Sequence, residues 1–382
     1  MDLSTDQKCV MIIVGETSGD LHGSKLVRAM RERDNALFFC GIGGQTLKEA
    51  GVKILVDAAT LSVVGFTEMF SKLPNQLRGL ALAKKLLESF RPDLLILIDF
   101  PEFNLRVAPT AKKLGIPVLY YISPQLWAWR SGRVRIIKKF VDRMAVILPF
   151  EEKFYKKHGV PVTFVGHPLL DTLLASEDTI LERKSENRPT IGLLPGSRDK
   201  EIARHLPLML DAVDLLKGRI ENFEIIISLA PSVERHYVAD ILEKHQASAA
   251  LAFLEDDVTK VFEKSSVVIA ASGTVTLEAA INGIPPVIIY KISPVSYWLA
   301  KILVRVKYAG LVNLITEKEI APELIQNDAS PSNIADTVYE MLSDPASLKD
   351  LRKRLFNLRD VLGGSGASQR VADIAMDMLH PN

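Results

Sequence analysis

Asp99 stands where a general base is expected in a parallel α/β sheet. It follows an uninterrupted apolar run, Leu94 to Ile98, which is typical of a buried strand. Because ligands bind at the carboxyl ends of such strands, its carboxylate is placed to take a proton from a hydroxyl group. The alternative is an aspartate that only caps the next turn. Three other side chains compete for the role of base: Glu16, Asp20 and His22.

The stretch from Val267 to Tyr290 has the pattern of a βαβ unit with an anion-binding turn. Between its first strand and its helix stands Ser272-Gly273-Thr274, which predicts a turn with hydroxyl N-caps that a phosphate can approach. Glu278 lies one helical turn after Thr274, on the same helix face, so its carboxylate is suited to accept the two hydroxyls of a ribose. A plain βαβ crossover with Glu278 in solvent would give the same pattern.

A related turn follows the predicted strand from Thr190 to Leu194. It reads Pro195-Gly196-Ser197-Arg198 and opens a helix at Asp199. Arginine is suited to a forked contact with phosphate, so Ser197 and Arg198 are candidate ligands of a diphosphate.

These candidates sit on two successive series of alternating strands and helices. We therefore predict an α/β protein of two Rossmann-like, doubly wound domains that face each other across a cleft. The first domain covers 1–170, the second covers 171–362, and 363–382 forms a C-terminal helix that packs back on the first. Glycine-rich turns after the first two strands, Gly15 to Asp20 and Gly41 to Gly44, place flexible backbone at the ligand edge. The spacing is not G-x-G-x-x-G, which disfavours a dinucleotide dehydrogenase.

The composition is that of a soluble globular protein with an uneven distribution of charge. Residues 1–170 hold 24 Lys and Arg against 16 Asp and Glu, whereas 171–382 hold 23 against 30. The overall charge of +1 argues against a nucleic-acid partner, and the basic first half favours an anionic ligand or membrane surface. Cys9 and Cys40 both lie in apolar runs, which indicates free thiols in a reducing compartment. The polar, acidic start predicts no signal peptide, and no apolar run is long enough to predict a transmembrane helix.

Two neighbouring stretches are candidates for membrane contact. The apolar one contributes Val64, Phe66, Met69, Phe70 and Leu73, and a core helix is the alternative for it. The basic one, near Trp127 and Trp129, contributes Arg133, Arg135, Lys138 and Lys139, and an ordinary amphipathic helix with a solvated face is its alternative. Tyr297 to Tyr308 is aromatic and basic, which suits a membrane, a homodimer interface or a core helix.

Several motifs together resemble the lipid-A-disaccharide synthase family, in chain order and over nearly the whole length. The specific ones are Gly15-Glu16-Thr17-Ser18-Gly19-Asp20 and Trp127-Ala128-Trp129-Arg130. The supporting ones are Ile98 to Asn104, Tyr121 to Pro124, Leu148 to Glu151, Gly166-His167, Leu194 to Arg198, Ala271 to Thr274 and Asn313-Leu314.

The resemblance implies an inverting glycosyltransferase of the GT-B fold that needs neither metal nor other cofactor. Its donor would be UDP-2,3-diacylglucosamine and its acceptor 2,3-diacylglucosamine 1-phosphate, on the cytoplasmic face of the inner membrane of a Gram-negative bacterium. The products would be a β-1,6-linked tetraacyl disaccharide 1-phosphate and UDP. Phe253 and Leu254 stand where this fold reads the uracil, and Asn313 is a further candidate for the UDP-sugar.

The remaining candidates belong to the predicted acceptor side, either as ligands or as supporting residues. They are Glu16, Ser18, Asp20, His22, Asn104, Arg130 and His167. Each has a structural alternative, above all the two histidines. Two rival functions remain: another GT-B enzyme that acts on UDP-N-acetylglucosamine, such as a 2-epimerase, and a non-catalytic protein that binds a UDP-sugar or a lipid phosphate.

Overall fold

The computed structural model describes residues 7–60, 73–172, 188–230, 233–245, 252–303 and 306–381. The chain packs as two compact units, Met1–Thr172 with Leu362–Asn382 and Leu173–Val361. No helix in these described ranges is both long and apolar enough to cross a bilayer.

The N-terminal unit is built on a seven-stranded parallel sheet. Its strands are β1 (Cys9–Ile13), β2 (Phe38–Gly43), β3 (Lys53–Asp57), β4 (Leu94–Ile98), β5 (Val118–Tyr121), β6 (Arg143–Val146) and β7 (Val162–Phe164). Its helices are α1 (Thr17–Arg33), α2 (Gln45–Glu49), α3 (Leu73–Phe90), α4 (Pro101–Lys113), α5 (Val134–Phe140) and α6 (Pro149–Lys157). The strand order is β3-β2-β1-β4-β5-β6-β7. This order is that of a doubly wound Rossmann-like sheet.

The C-terminal unit repeats the plan with six parallel strands. They are β8 (Thr190–Leu194), β9 (Glu224–Ser228), β10 (Ala252–Glu255), β11 (Val267–Ala271), β12 (Pro286–Tyr290) and β13 (Glu323–Ile325), in the order β10-β9-β8-β11-β12-β13. Its helices are α7 (Asp199–Leu216), α8 (Arg235–Lys244), α9 (Val258–Lys264), α10 (Thr274–Ile281), α11 (Pro294–Leu303), α12 (Leu311–Thr316), α13 (Pro331–Ser343), α14 (Pro345–Phe356) and α15 (Leu358–Val361).

Burial on both faces explains why the central strands are continuous apolar runs. Every residue of β1, β4 and β11 is buried. Helices cover both sides of each sheet, so an alternating pattern would bury polar side chains without partners. The hydrophobic residues of these strands therefore identify the sheet centres, and the chemistry is left to the residues that follow each strand.

The last helix, α16 (Ala367–Leu379), belongs to the N-terminal unit and packs against α1. The Asp171 carboxylate accepts hydrogen bonds from the backbone N–H groups of Gly366 at 2.7 Å and Ala367 at 3.1 Å. It also accepts one from the Ser368 hydroxyl at 3.0 Å. These contacts cap α16 with a side chain that is distant in sequence and tie the end of the chain to this unit.

Three local boundaries differ from the sequence-based expectation. The predicted glycine-rich turn from Gly15 to Asp20 lies mostly inside the first helix, because α1 begins at Thr17. The predicted glycine turn after β2 lies mostly within this strand. Glycine is needed there inside the sheet, since a Cβ on Gly41 would lie 1.8 Å from the Ile12 carbonyl oxygen. The basic stretch after Trp129 forms only a 3-10 turn, Ser131–Arg133, and the short helix α5, since β6 begins at Arg143.

Candidate active site

Asp99 and Glu16 lie at the point where the strand order of the N-terminal sheet reverses. β1 and β4 are neighbours in the sheet, with Ile13 paired to Leu97. From this pair β2 and β3 extend in one direction and β5 to β7 in the other. Asp99 follows β4 directly, and Glu16 precedes α1 after β1. In open α/β sheets such a reversal creates the crevice in which ligands bind, so both carboxylates are at the edge where a reaction is expected.

The environment of Asp99 raises the pKa of its carboxyl to about 6. Burial disfavours the charged form most, the negative charge of Glu16 acts in the same direction, and the backbone N–H of Phe100 partly offsets both. At neutral pH the carboxylate is therefore charged, yet more basic than an ordinary aspartate. This combination suits a group that must take a proton.

The backbone that carries Asp99 is held in an uncommon conformation. Asp99 and Phe100 have φ angles of 46° and 48°, in the left-handed region that non-glycine residues rarely adopt. Two side chains fix the Asp99 carbonyl oxygen, the Tyr120 hydroxyl at 2.6 Å and the Asn104 amide at 2.7 Å. Asn104 is fully buried, so the structure gives it a supporting contact behind Asp99. Strain held by several contacts is typical of functional sites.

Gly15 is required by the close approach of the Phe100 ring. A Cβ built on Gly15 would lie 2.2 Å from the nearest ring carbon. The glycine thus lets Phe100 pack across the end of β1 and sets the path of the chain at Asp99.

We expect Gly15→Ala to lower the free energy of unfolding by about 1–3 kcal/mol, the usual cost of overpacking a core. It should also lower any activity that depends on the position of Asp99. Thermal denaturation and turnover would be measured beside Gly132→Ala, whose added Cβ meets no atom of the described residues within 4 Å. Equal effects of the two substitutions would contradict the contact with Phe100.

The residues around the start of α1 divide into exposed and supporting groups. Glu16 and Ser18 are exposed at the first turn of this helix. Asp20 is buried, and its carboxylate accepts hydrogen bonds from the backbone N–H groups of Gly44 at 2.6 Å and Thr46 at 2.8 Å. Asp20 therefore fixes the start of α2, a supporting position, whereas Glu16 and Ser18 remain accessible to a ligand.

His22 and His167 lie together near the capped start of α16. Burial is the main cause that lowers the pKa of each histidine to about 4. The positive charge of Lys25 further lowers the pKa of His22, and His22 further lowers the pKa of His167. The negative charge of Asp171 opposes both shifts. Both imidazoles are therefore neutral at pH 7. A C-terminal helix was predicted over 363–382, but nothing local in the sequence indicated that Asp171 caps it.

The loop that follows β5 is anchored by a buried acid. The Trp127 indole N–H donates to Glu151 at 3.0 Å, and the Trp127 ring contacts Phe150 edge-on with 4.8 Å between centroids. Glu151 also accepts a hydrogen bond from the Leu148 backbone N–H at 3.2 Å. Burial raises the pKa of the Glu151 carboxyl to about 7, although its hydrogen bonds act in the opposite direction. We did not predict this role for Glu151 from the sequence.

The raised pKa of Glu151 makes the stability of the N-terminal unit depend on pH. The pKa of Glu151 in the folded protein, about 7, lies above the ordinary value of 4.5. The carboxyl therefore contributes fully to the free energy of unfolding below pH 4.5, and this contribution is lost as the pH rises through 7. The wild-type protein should lose on the order of 2–3 kcal/mol of its free energy of unfolding over this rise in pH, and we expect Glu151→Gln to show no such loss. The melting temperature of the variant relative to wild type should therefore rise from about pH 5 to pH 8. A constant offset is also expected, because glutamine supplies one acceptor oxygen instead of two, and a pH-independent difference would contradict the assignment.

Arg130 and Arg133 share one carboxylate at the same sheet edge. Glu102, in the first turn of α4, accepts from Arg130 at 2.7 Å and from both terminal nitrogens of Arg133 at 2.6 and 3.1 Å. The Arg130 guanidinium also lies over the Trp129 ring, 4.2 Å from its centroid. Arg133, predicted as a membrane contact, is thus placed beside α4, whereas Arg135, Lys138 and Lys139 are exposed. Glu102 was not identified from the sequence.

In the C-terminal unit, α10 begins directly after the Ser272-Gly273 turn. The prediction of a hydroxyl N-cap is wrong: Gly273 occupies the cap position without a side-chain cap, and the Ser272 hydroxyl donates to the Ala309 carbonyl at 3.1 Å. Gly273 and Thr274 are exposed. Among the described residues no side chain caps the start of α10, which therefore offers the positive end of a helix dipole to a ligand.

Glu278 lies one turn into α10 and is only partly exposed. Its pKa is raised by burial and by the negative charge of Asp257. Its position relative to Thr274 is the one expected for a ribose contact, and that role stays a prediction.

Asn313 is fully buried and its amide is completely engaged. The amide nitrogen donates to the Ala321 carbonyl at 2.6 Å and to Glu323 at 2.8 Å, and the oxygen accepts from the N–H groups of Ile320 and Ala321. Glu323 in turn accepts from the N–H groups of Ala309 at 2.7 Å and Gly310 at 3.0 Å. Asn313 therefore positions the loop whose Ala309 carbonyl holds Ser272.

Ser197 and Arg198 precede α7 at the carboxyl edge of the second sheet. Glu201 accepts from the Ser197 backbone N–H at 3.1 Å and from the Arg198 guanidinium at 3.1 Å. Behind them, buried His205 bridges the Pro195 carbonyl and the Lys291 N–H, at 3.2 Å each. β8, which leads to Arg198, and β11, which leads to Ser272, are adjacent strands. Both turns therefore lie at the point where this sheet reverses its order.

The other predicted contacts are placed as follows. Phe253 and Leu254 lie in the edge strand β10. Leu73 is the first residue of α3. Val64, Phe66, Met69 and Phe70 lie outside the described residues.

Two parallel-sheet α/β units, each with turns at the point where its strand order reverses, define a chain with the GT-B fold. Solved structures with this fold include a UDP-N-acetylglucosamine 2-epimerase from Neisseria meningitidis bound to UDP-N-acetylglucosamine, with a TM-score of 0.62 and 13% identity, covering 97% of this chain and 99% of that one. The glycosyltransferase of kitacinnamycin has a TM-score of 0.64 and 14% identity, covering 98% and 99%.

The sequence comparisons identify one family within this class. The family described as Lipid-A-disaccharide synthetase matches residues 10–370. The lipid-A-disaccharide synthase of Syntrophus aciditrophicus is 44% identical over 98% of both chains. That of Coxiella burnetii is 39% identical, covering 97% of this chain and 99% of its own. The chain belongs to the lipid-A-disaccharide synthase family.

Proposed function

We propose that this chain transfers 2,3-diacylglucosamine from its UDP donor to the 6-hydroxyl of 2,3-diacylglucosamine 1-phosphate. The products are a β-1,6-linked tetraacyl disaccharide 1-phosphate and UDP, which makes the protein an inverting glycosyltransferase of lipid A biosynthesis. The observation that carries the proposal is the position of Asp99, a carboxylate with a raised pKa at the reversal point of the first sheet, in a member of this family.

The chemistry follows from the groups that each unit supplies. Asp99 takes the proton of the acceptor's 6-hydroxyl while the oxygen of that hydroxyl attacks C1 of the donor sugar. The bond from C1 to the diphosphate oxygen breaks in the same step. The electron pair leaves on UDP, so negative charge develops on the diphosphate. The exposed start of α10 and the guanidinium of Arg198 are the groups suited to stabilise that charge. A single displacement at C1 inverts its configuration.

The donor-binding residues are proposed from the turns of the C-terminal unit. Direct contact with the UDP-sugar is assigned to Ser197, Arg198, Gly273, Thr274 and Glu278, and the uracil to the backbone at Phe253 and Leu254. Ser272 and Asn313 keep the phosphate-binding turn in place, because their side chains are engaged with the protein. On the acceptor side, Glu16, Ser18 and Arg130 are accessible, whereas Asn104 holds the Asp99 carbonyl and Asp20 holds the start of α2. His22 and His167 are assigned a supporting role near the capped start of α16.

Release of UDP by the purified protein tests this function. The protein would be given donor and acceptor separately and together, in detergent, with and without EDTA. The proposal expects UDP only when both acylated sugars are present, and equal rates with EDTA. Turnover of UDP-N-acetylglucosamine without UDP release would favour a 2-epimerase, and binding of UDP with no turnover would favour a binding protein.

We also propose that the protein binds the cytoplasmic face of the inner membrane, where its acylated substrates reside. Exposed basic side chains on α5, beside Trp129, support this assignment. In the C-terminal unit, Trp298 and Ile302 stand one turn apart on α11 and are 64% and 58% exposed, with Lys301 between them. Aromatic and basic side chains of this kind favour a lipid–water interface.

Reversal of two charges on α5 should weaken membrane binding. We expect Lys138→Glu with Lys139→Glu to lower partitioning onto vesicles that contain anionic phosphatidylglycerol by about tenfold or more, since each basic residue near such a surface contributes about 1 kcal/mol. The matched control is Lys156→Glu with Lys157→Glu, a second lysine pair at the end of α6. Equal loss in both variants, measured by vesicle sedimentation, would assign the effect to overall charge and not to this surface.

A further inference from the structure

Three arginines gather around the carboxylate of Glu102. Arg130 and Arg133 bind it directly, the second through both terminal nitrogens. Arg106 lies one turn further along α4. The hydrogen bond from Arg133 is the main cause that holds the pKa of Glu102 below its usual value, and the charges of Arg133, Arg130 and Arg106 act in the same direction. Three positive charges against one negative charge leave an excess of two, which matches a phosphate monoester in its dianionic form.

The cluster is open to a ligand and already ordered. The Glu102, Arg130 and Arg133 side chains are 47%, 45% and 29% exposed. Exposed ion pairs contribute only about 0–1 kcal/mol, so an incoming anion can replace Glu102 at little cost. Arg130 is held by its left-handed backbone, φ 60°, and by stacking on Trp129. Guanidinium groups fixed in this way lose little freedom when they bind a phosphate in a forked contact.

The position of the cluster relative to Asp99 matches the shape of the acceptor sugar. Glu102 follows Asp99 by three residues, in the first turn of α4. The buried Tyr120 hydroxyl, which donates to the Asp99 carbonyl, has a pKa raised by burial and also by the charges of both Asp99 and Glu102. The charges of both carboxylates therefore act on the same hydroxyl. In a hexose 1-phosphate the carbon that bears the phosphate and the carbon that bears the 6-hydroxymethyl group both adjoin the ring oxygen, so a base and a phosphate site must also be neighbours.

We propose that Arg130 and Arg133 bind the anomeric phosphate of the acceptor, and that Glu102 holds the two guanidinium groups in place until the phosphate replaces it. This rests on the proposed transferase function. The site selects an acceptor that carries a 1-phosphate and places the 6-hydroxyl of the same sugar toward Asp99. Arg133 is thereby a specificity-determining residue and not a membrane contact.

The test compares Arg133→Gln with Arg143→Gln, an exposed arginine at the start of β6. Each variant would be assayed with the acceptor and with the same diacylglucosamine lacking its 1-phosphate. We expect Arg133→Gln to raise the acceptor KM by about 10- to 100-fold, as for the loss of a charged hydrogen bond, with no change in the donor KM. The preference for the phosphorylated acceptor should fall by the same factor, and Arg143→Gln should leave it unchanged.

Two results would overturn the phosphate site while the transferase function stands. One is an equal loss with both acceptors, which would give Arg133 a purely structural role. The other is an unchanged acceptor preference together with weaker binding of phosphatidylglycerol vesicles, which would return Arg133 to the membrane surface. Absence of transfer by the wild-type protein would instead refute the proposed function, and the phosphate site with it.

Discussion

Asp99→Asn is expected to lower turnover of the two acylated sugars by about 10²–10⁴-fold, the usual contribution of a general base. Asparagine keeps the size of the side chain but cannot take a proton from the 6-hydroxyl. UDP binding should persist, because the residues assigned to UDP belong to the other unit of the chain. In this variant we therefore expect a large fall in turnover together with an unchanged affinity for UDP, which calorimetry would measure.

The control for this substitution is Asp34→Asn. Asp34 follows the last turn of α1 and accepts a hydrogen bond from the Ala36 N–H, away from the residues that follow β1 and β4. It tests whether loss of any aspartate charge from the N-terminal unit lowers activity. Near-normal turnover by Asp99→Asn, or equal losses in both variants, would remove Asp99 from the reaction.

The raised pKa of Asp99 also predicts how kcat/KM depends on pH on the acid side of neutrality. The base acts when it is deprotonated, and its pKa of about 6 lies well above the ordinary 3.8. kcat/KM should therefore fall as the pH drops through 6, about tenfold for each further unit. An ordinary aspartate would keep its activity down to about pH 4.

Arg198→Gln is expected to lower kcat/KM for the donor by about 10²–10³-fold, as for removal of a charged group that stabilises a transition state. The guanidinium stands at the N-cap of α7, where the ion pair with Glu201 holds it at the sheet edge. Its loss should reduce kcat more than ground-state binding of UDP, because charge on the diphosphate increases as the sugar departs.

Arg219→Gln is the matched control for Arg198. Arg219 is also a surface arginine in an ion pair, with Asp336, but it follows the opposite end of α7. We expect near-wild-type kinetics from it. If both variants lose activity equally, the effect of Arg198 would come from the fold of the C-terminal unit and not from the diphosphate.

The positions of Asp99, Arg198 and Glu278 were predictable because each depends on a local pattern. A run of buried apolar residues marks a parallel strand, and the residue after it reaches the carboxyl edge whatever the rest of the fold does. The apolar runs of β4, β8 and β11 are buried as predicted. The alternation of strands and helices also gave the two Rossmann-like units.

The partners of these residues were not predictable in the same way. Trp127 is anchored by Glu151, 24 residues away, and Arg133 by Glu102, 31 residues away. Such contacts depend on which elements pack together, which no local spacing encodes. Ser272 shows the same limit, since the local rule predicts a helix cap, but the hydroxyl donates to a carbonyl 37 residues away.

The configuration of the new glycosidic bond tests the central claim most directly. Purified protein would be incubated with UDP-2,3-diacylglucosamine and 2,3-diacylglucosamine 1-phosphate, and the anomeric proton of the product would be examined by NMR. A single displacement assisted by Asp99 predicts a β-1,6-linked disaccharide 1-phosphate, with the large coupling of an axial anomeric proton. An α-linked product, or a free diacylglucosamine in place of a disaccharide, would contradict the account.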